Sequence, residues 1–219
     1  MSGNTSWNDT PEQAPSRPAK KPMSGCLLAS LIIGGLGGVC LLVCCGAGAY
    51  FAANFAPKIT AVPAEVTAVG KSVLDVNISE DFTPVNSVTM DNFVFTMRIA
   101  EFAHKEGKGK LVLGAMKIKM GDPNQANAQT GQFRTQHETN ISDNLDVKKT
   151  ESHEITIDGQ KVSVMIGEAN DRTSGKGVHT AKADIKSPTG QIFFLLRLDD
   201  DVWDQDAVLK MFEEAKIPQ

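Results

Sequence analysis

The acidic run DDDVWDQD places five aspartates, Asp199, Asp200, Asp201, Asp204 and Asp206, within eight residues. Carboxylate oxygens at this density are the donors that a hard Ca2+ ion takes, which makes Asp199, Asp201, Asp204 and Asp206 the metal candidates. Their spacing argues the other way. A calcium loop of the EF-hand type needs a glycine at its sixth place and a glutamate at its twelfth. Counted from Asp199, those places hold Asp204 and Lys210. A plainer role is available, because acidic side chains favour the positive N-terminal end of a following helix.

Other reactive residue types are scattered. NDRTSGKG has the outline of a phosphate loop, but Asn170 stands where the first glycine belongs and Gly177 where Ser or Thr belongs. His137-Glu138 and His153-Glu154 lack the second histidine of a zinc-protease helix, and no G-x-S-x-G is present. His104, His137, His153 and His179 are far apart in sequence. His179 shares a strand phase with Ala181, Ala183 and Ile185, which points to a partly buried imidazole. Arg197 is in phase with Phe193 and Leu195, so its guanidinium is expected to reach an Asp or Glu at the sheet edge. The lysine-rich tip at 105–110 is a solvated turn or a contact for anionic headgroups. No catalytic or cofactor-binding set emerges, and none is assigned.

Cys26, Cys40, Cys44 and Cys45 are the only cysteines, and all precede Pro57, so thiol chemistry is excluded from everything after it. They lie in a stretch of 36 uncharged residues between Lys21 and Lys58. A bilayer core of about 30 Å needs about 20 apolar helical residues. A water-facing helix would show a polar stripe, and this stretch shows none. Residues 26–56 are therefore expected to be a transmembrane helix with its juxtamembrane segment. A signal peptide cut after Ala49 is the competing reading, but its apolar region is ordinarily about 7–15 residues. Arg17, Lys20 and Lys21 ahead of the span set the N-terminus inside and the bulk of the chain outside the cytoplasm. Tyr50, Phe51 and Phe55 would anchor the outer interface. Gly34 and Gly38 form G-x-x-x-G, a spacing that lets two spans approach as a homodimer.

Residues 1–22 are rich in Pro, Ser, Asn and Thr, with Trp7 their one large apolar side chain, and read as a disordered tail. Residues 59–219 are of ordinary size for one domain. Of the chain's 22 basic and 26 acidic residues, Arg17, Lys20, Lys21, Asp9 and Glu12 precede Pro57, leaving 19 against 24. That negative balance disfavours nucleic acid as a partner.

Within 59–219 the elements follow from periodicity. PAEVTAVGKSVL starts a helix at Pro63, with Val62, Val66, Val69 and Val73 at helical spacing. DVNISEDFTPVNS is irregular, with a short strand at 76–78. Strands are expected at 93–99, with Phe93, Phe95, Met97 and Ile99 on one face, and at 111–120, with Met116, Ile118 and Met120 inward; HKEGKGK turns between them. Asp122 before Pro123 opens a weak surface helix. Asp158-Gly159 joins two alternating runs, a strong hairpin signal, and NDRTSGKG is a loop. A second hairpin turns at SPTG, and its arm 192–198 is apolar enough for a central strand covered on both faces. Asp204 caps a last helix that buries Val208, Met211, Phe212 and Ala215. The class is α+β: a mostly antiparallel sheet with packed helices behind a single span.

ISEDFTPVNSVTM and GQIFFLLRLDDDVWDQDAVLKMFEEAKI resemble, in their layout, the opening and closing segments of the PsbP-like family. The chain is also similar to single-span bacterial proteins of planctomycete type. The resemblance covers about 76–217. It implies a curved antiparallel sheet and an assembly or binding role, and it transfers no functional residue. The expectation is a membrane-anchored, extracytoplasmic interaction module without enzymatic activity, its partners being the lipid bilayer and a protein. Trp203, in a loop before a helix, is the interaction candidate, since aromatic residues and Met are enriched at interfaces. A ligand-sensing ectodomain, or a hydrolase or metal enzyme with a site assembled only in space, are the alternatives.

Topology is checked directly. In intact cells Cys26 should label from the cytoplasmic side, and external protease should remove everything after Lys58. A tag at Gln219 labelled from the cytoplasm would reverse the orientation.

Overall fold

The computed structural model describes residues 55–120, 144–187 and 190–218, with Cys45, Gly46 and Gly48 before them and six helical residues between 131 and 141. The tail 1–22, the span with Gly34 and Gly38 (Cys45, Gly46, Gly48 and 55–56 apart), the helix start at Asp122 and His137 lie outside the described residues. Among the described residues no helix is long and apolar enough to cross a membrane. The chain divides into two units, 1–50 and 51–219; the architecture below is that of the second.

The second unit is built on one eight-stranded antiparallel sheet in the order β1-β2-β3-β4-β8-β7-β6-β5. The strands are β1 (Lys58–Thr60), β2 (Phe82–Asp91), β3 (Phe95–His104), β4 (Gly109–Ile118), β5 (Leu145–Ile157), β6 (Gln160–Asp171), β7 (Gly177–Ser187) and β8 (Gly190–Asp199). Helix α1 (Pro63–Val73) follows β1, and α2 (Gln205–Glu213) follows β8. The α+β class and the antiparallel pairing are as the periodicity predicts.

β8 lies fourth from the β5 edge, and residues 192–196 are all buried. Side chains alternate across a strand, so its apolar run feeds two cores. Ile192, Phe194, Leu196 and Leu198 join the larger one beneath α1 and α2. Phe193 and Leu195 join Ile99, Val112 and Ile141 on the opposite face. Ile141 belongs to the helical residues of 131–141, so apolar cover reaches both faces. Phe212 of α2 meets Phe194 with ring centroids 4.3 Å apart, and Val208, Phe212 and Ala215 are buried with Met211 half-buried beside them. Val66 and Val73 of α1 are buried, whereas Val62 precedes the helix and is exposed.

The hairpin at Asp158-Gly159 has positive φ at both residues, 46° and 78°. That is the requirement of a tight turn matched to strand twist. Asp158 also ties the turn to the end of the chain, its carboxylate accepting the Ile217 amide at 2.5 Å. Asp75 and Lys216 exchange backbone hydrogen bonds of 3.0 and 2.9 Å, joining the segment after α1 to the one after α2.

Four expectations need correction. Residues 76–78 form no strand: Val76 is buried in the core, but the chain turns at once through Ser79 and Asp81. The strand lies later, at β2, whose polar and Pro-containing sequence hides it; Pro84 sits at a register shift, where a missing amide is tolerated. β3 starts at Phe95 and not at 93, because the Asn92 side chain accepts the Val94 and Phe95 amides and makes a turn there. Phe93 is thus exposed. β4 ends at Ile118, leaving Met120 exposed instead of inward. Asn170 and Asp171, assigned to a loop, end β6.

Gly114 reports how closely β4 and β8 pack. A Cβ placed there would lie 1.9 Å from Cζ of Phe193. Gly114→Ala should therefore destabilise the 55–219 fragment by about 3 kcal/mol or more, the upper end of overpacking costs, read as a lowered urea midpoint. An unchanged midpoint would show that Phe193 has room to move.

Candidate functional site

Two adjoining concavities open at the end of the sheet where β2 begins and β3 ends. One, of about 420 Å3, lies between β2, β4, β8 and α2. Its floor is Phe82, Leu111, Leu196 and Leu198, and Val202 and Met211 wall it. Ser79, Asp81, His104 and Lys210 supply polar groups at its edge. A neighbouring hollow of about 480 Å3 shares Asn77, Ile78, Ser79, Phe82 and Glu214 with it. The two form a groove around the 77–82 segment. Phe82 packs edge-on against the His104 ring at 5.6 Å, and the two residues pair across β2 and β3.

Ser79, Asp81 and His104 are of the types that make a hydrolytic triad. Nucleophilic catalysis requires the hydroxyl to face a base that is itself oriented by a third group. Here the Ser79 hydroxyl donates to Asp81 at 2.9 Å, and the Asp81 amide donates back to Ser79 Oγ at 3.2 Å. His104 Nδ1 accepts the Glu106 amide at 3.4 Å. These contacts stabilise turns and line up no nucleophile with a base.

The acidic run is distributed among partners. Asp199 faces Lys176 at 3.6 Å, Asp200 bonds His179 Nε2 at 2.7 Å, and Asp201 meets Lys108 at 3.1 Å. Asp204 caps α2 by accepting the Ala207 amide at 3.0 Å, and Asp206 lies in the first turn of that helix. Lys108 also binds Glu106 at 2.5 Å; Glu106 first, then Asp201, raises its pKa, and Lys108 lowers that of Asp201. Among the described residues, no group of three or more His, Cys, Asp or Glu side chains converges as a metal site.

Trp203 is half-buried and stacks on His179, with centroids 4.9 Å apart and planes 9° from parallel. It also packs against the main core. His104 and His179 lie on β3 and β7, with β4 and β8 between them, three strand spacings or about 15 Å. His153 is on β5, 3.7 Å from Glu151. At the 105–110 tip, Lys108 is paired as above and Lys110 meets Glu101 at 3.1 Å.

The groove was hidden in the sequence because its lining comes from four separated segments. The clues were small: the Ser-x-Asp turn in ISEDF, and Met211 at the margin of the α2 stripe.

No family model matches the chain, and no curated protein matches it in sequence. Among solved structures it is similar to the crystal structure of LpqN, involved in cell envelope biogenesis of Mycobacterium tuberculosis. That similarity is 15% in identity over 74% of this chain and 84% of that one, with a TM-score of 0.29.

Arg197 finds its acid as expected, with Nη2 2.5 Å from Asp171 Oδ2. The Ser174 amide first, and Arg197 next, hold the Asp171 carboxyl down to about 2 from 3.8. A carboxyl depressed on folding stabilises the fold above its unfolded pKa, and that contribution is lost as pH falls toward the folded value. Asp171→Asn should unfold at lower denaturant than the parent near pH 6, with the gap closing between about pH 4 and pH 2. Equal midpoints near pH 6 would show that the pair adds nothing.

Proposed function

We propose that this chain is a membrane-anchored, non-enzymatic binding module. Its N-terminus faces the cytoplasm, and the unit from residue 59 onward works outside, with the groove as its binding surface. The observation that carries the reading is the apolar floor of Phe82, Leu111, Leu196 and Leu198 left open between β2, β8 and α2. An open apolar cleft with a few polar groups at its edge suits recognition. The chemistry at that edge is engaged in turns.

Membrane attachment is supported by the 36 uncharged residues between Lys21 and Lys58 and by the aromatic flank of Tyr50, Phe51 and Phe55. Gly34 and Gly38 give the span a self-association face, and so a route to a homodimer. The segments that resemble the PsbP-like family coincide with the groove: one runs through the 77–82 segment into β2, the other from β8 through α2. That family's members are mainly assembly or binding factors, which agrees with docking. Trp203, stacked on His179, extends the same end of the sheet.

A second reading, ligand sensing, is favoured by one observation. The 420 Å3 hollow is within the range of small-molecule sites, about 300–1,000 Å3.

A photoreactive side chain at Met211, in full-length protein in its own membrane, separates these readings. A protein adduct at 211, absent when the same group replaces exposed Met165, is the expected result. Ala207 is exposed at the groove wall, so Ala207→Trp should abolish the adduct without lowering the melting temperature. An adduct of small mass would favour the sensing reading. Equal adducts at both positions would overturn the groove, and hydrolytic turnover lost in His104→Ala would overturn the non-enzymatic reading.

A further inference from the structure

The end of the sheet opposite the groove carries a second surface. β1 leaves it at Lys58, β2 and β3 turn there through 92–94, and β4 reaches it at Ile118. Large apolar side chains are exposed on this rim: Ile59 at 70%, Phe93 at 60% and Met120 at 58%. They are held in place and are not loose tips. The Asn92 side chain accepts the Val94 and Phe95 amides, both at 2.9 Å. The Lys119 and Met120 amides donate to the Val94 carbonyl at 2.7 and 3.3 Å, fixing the end of β4 to the turn. Lys119 binds Asp91 beside them, and Lys58 and Lys186 are exposed at the same end.

What covers this surface is indicated by Phe55. It is the last aromatic of the uncharged stretch and stands three residues before Lys58. Its ring meets Phe93 edge to face, with centroids 5.3 Å apart and planes at 89°. Wherever the end of that stretch sits in depth, Phe93 sits beside it. Aromatic rings favour the membrane–water interface, and lysines there lay their stems along apolar surface while keeping the ammonium in water.

We infer that the rim carrying Phe93 and Met120 is a second bilayer contact, inserted into the interface of the membrane that holds the anchor. The inference rests on the membrane-anchored reading. It assigns the exposed Phe and Met to lipid acyl chains and Lys58, Lys119 and Lys186 to the headgroups. Attachment at two points fixes the sheet's orientation, with strands rising from the membrane. Ten-residue strands then hold the groove about 30 Å from the rim.

The test uses the full-length chain in phosphatidylcholine–phosphatidylglycerol vesicles doped with a lipid carrying a diazirine in its acyl chain. Adducts are located by mass spectrometry after illumination. Adducts are expected both within 26–56 and on Phe93 and Met120. In Phe93→Asp/Met120→Asp the rim adducts should vanish while those in 26–56 persist. Adducts confined to 26–56 in the parent would overturn this inference and leave the anchor intact. Rim adducts with none in 26–56 would overturn the anchor and keep the contact, and no adducts at all would overturn both. A photoreactive group at Phe93 that captures protein, whether a second copy or another chain, would assign the rim to that partner and overturn the lipid contact.

Discussion

The unit's architecture turns on one strand whose middle, 192–196, is buried on both faces. β8 contributes Ile192, Phe194, Leu196 and Leu198 to one core and Phe193 and Leu195 to the other. Burying a side chain of this size is worth about 1.5–3 kcal/mol against leaving it in water. Cover must therefore be supplied on both faces, and the remaining elements supply it. α2 delivers Phe212 and Val208 from a helix only a few residues past β8, α1 adds Val66 and Val73, and Ile141 closes the other side. Short links force α2 to stay near the end of β8, and the groove is the space that this placement leaves between α2 and β2.

The same constraint explains which parts were legible. Continuous apolarity in 192–196 reads directly as a central strand with both faces covered, and the run is broken only near its end by Arg197, which is paired with Asp171. The tight turn at Asp158-Gly159 and the Asp204 cap are local devices, written in a few adjacent residues, and both stand as expected. β2 is the opposite case. Its sequence FTPVNSVTMD has a proline and several polar residues, and it becomes a strand through pairing with β1 and β3. Tertiary pairing overrides local preference there. The start of β3 and both ends of β4 were misplaced by two residues, and β3 runs five residues past 99 to His104. At that end of the sheet Asn92 caps a local turn, while the Val94 carbonyl takes the amides of Lys119 and Met120, far along the chain.

The polar residues teach a related lesson. Density in sequence suggested that the aspartates of 199–206 act together, yet in space each turns to a different neighbour: a lysine, an imidazole, a backbone amide. Successive residues in an extended or 3-10 segment point in different directions, so adjacency disperses carboxylates. Convergence arises instead between residues far apart in the chain, as with Ser79, His104, Leu198 and Met211 around the groove.

The direction of β1 has a mechanical consequence. Lys58 pairs with Thr89, and Thr60 with Ser87, so β1 runs from the rim toward the groove antiparallel to β2. A pull applied between the groove end of the sheet and the start of β1 would act along the strand axes. Under that load β1 must slide past β2, and the hydrogen bonds joining them share the force in shear instead of opening one after another like a zip. A strand of only three residues therefore resists a pull along its axis better than its length suggests.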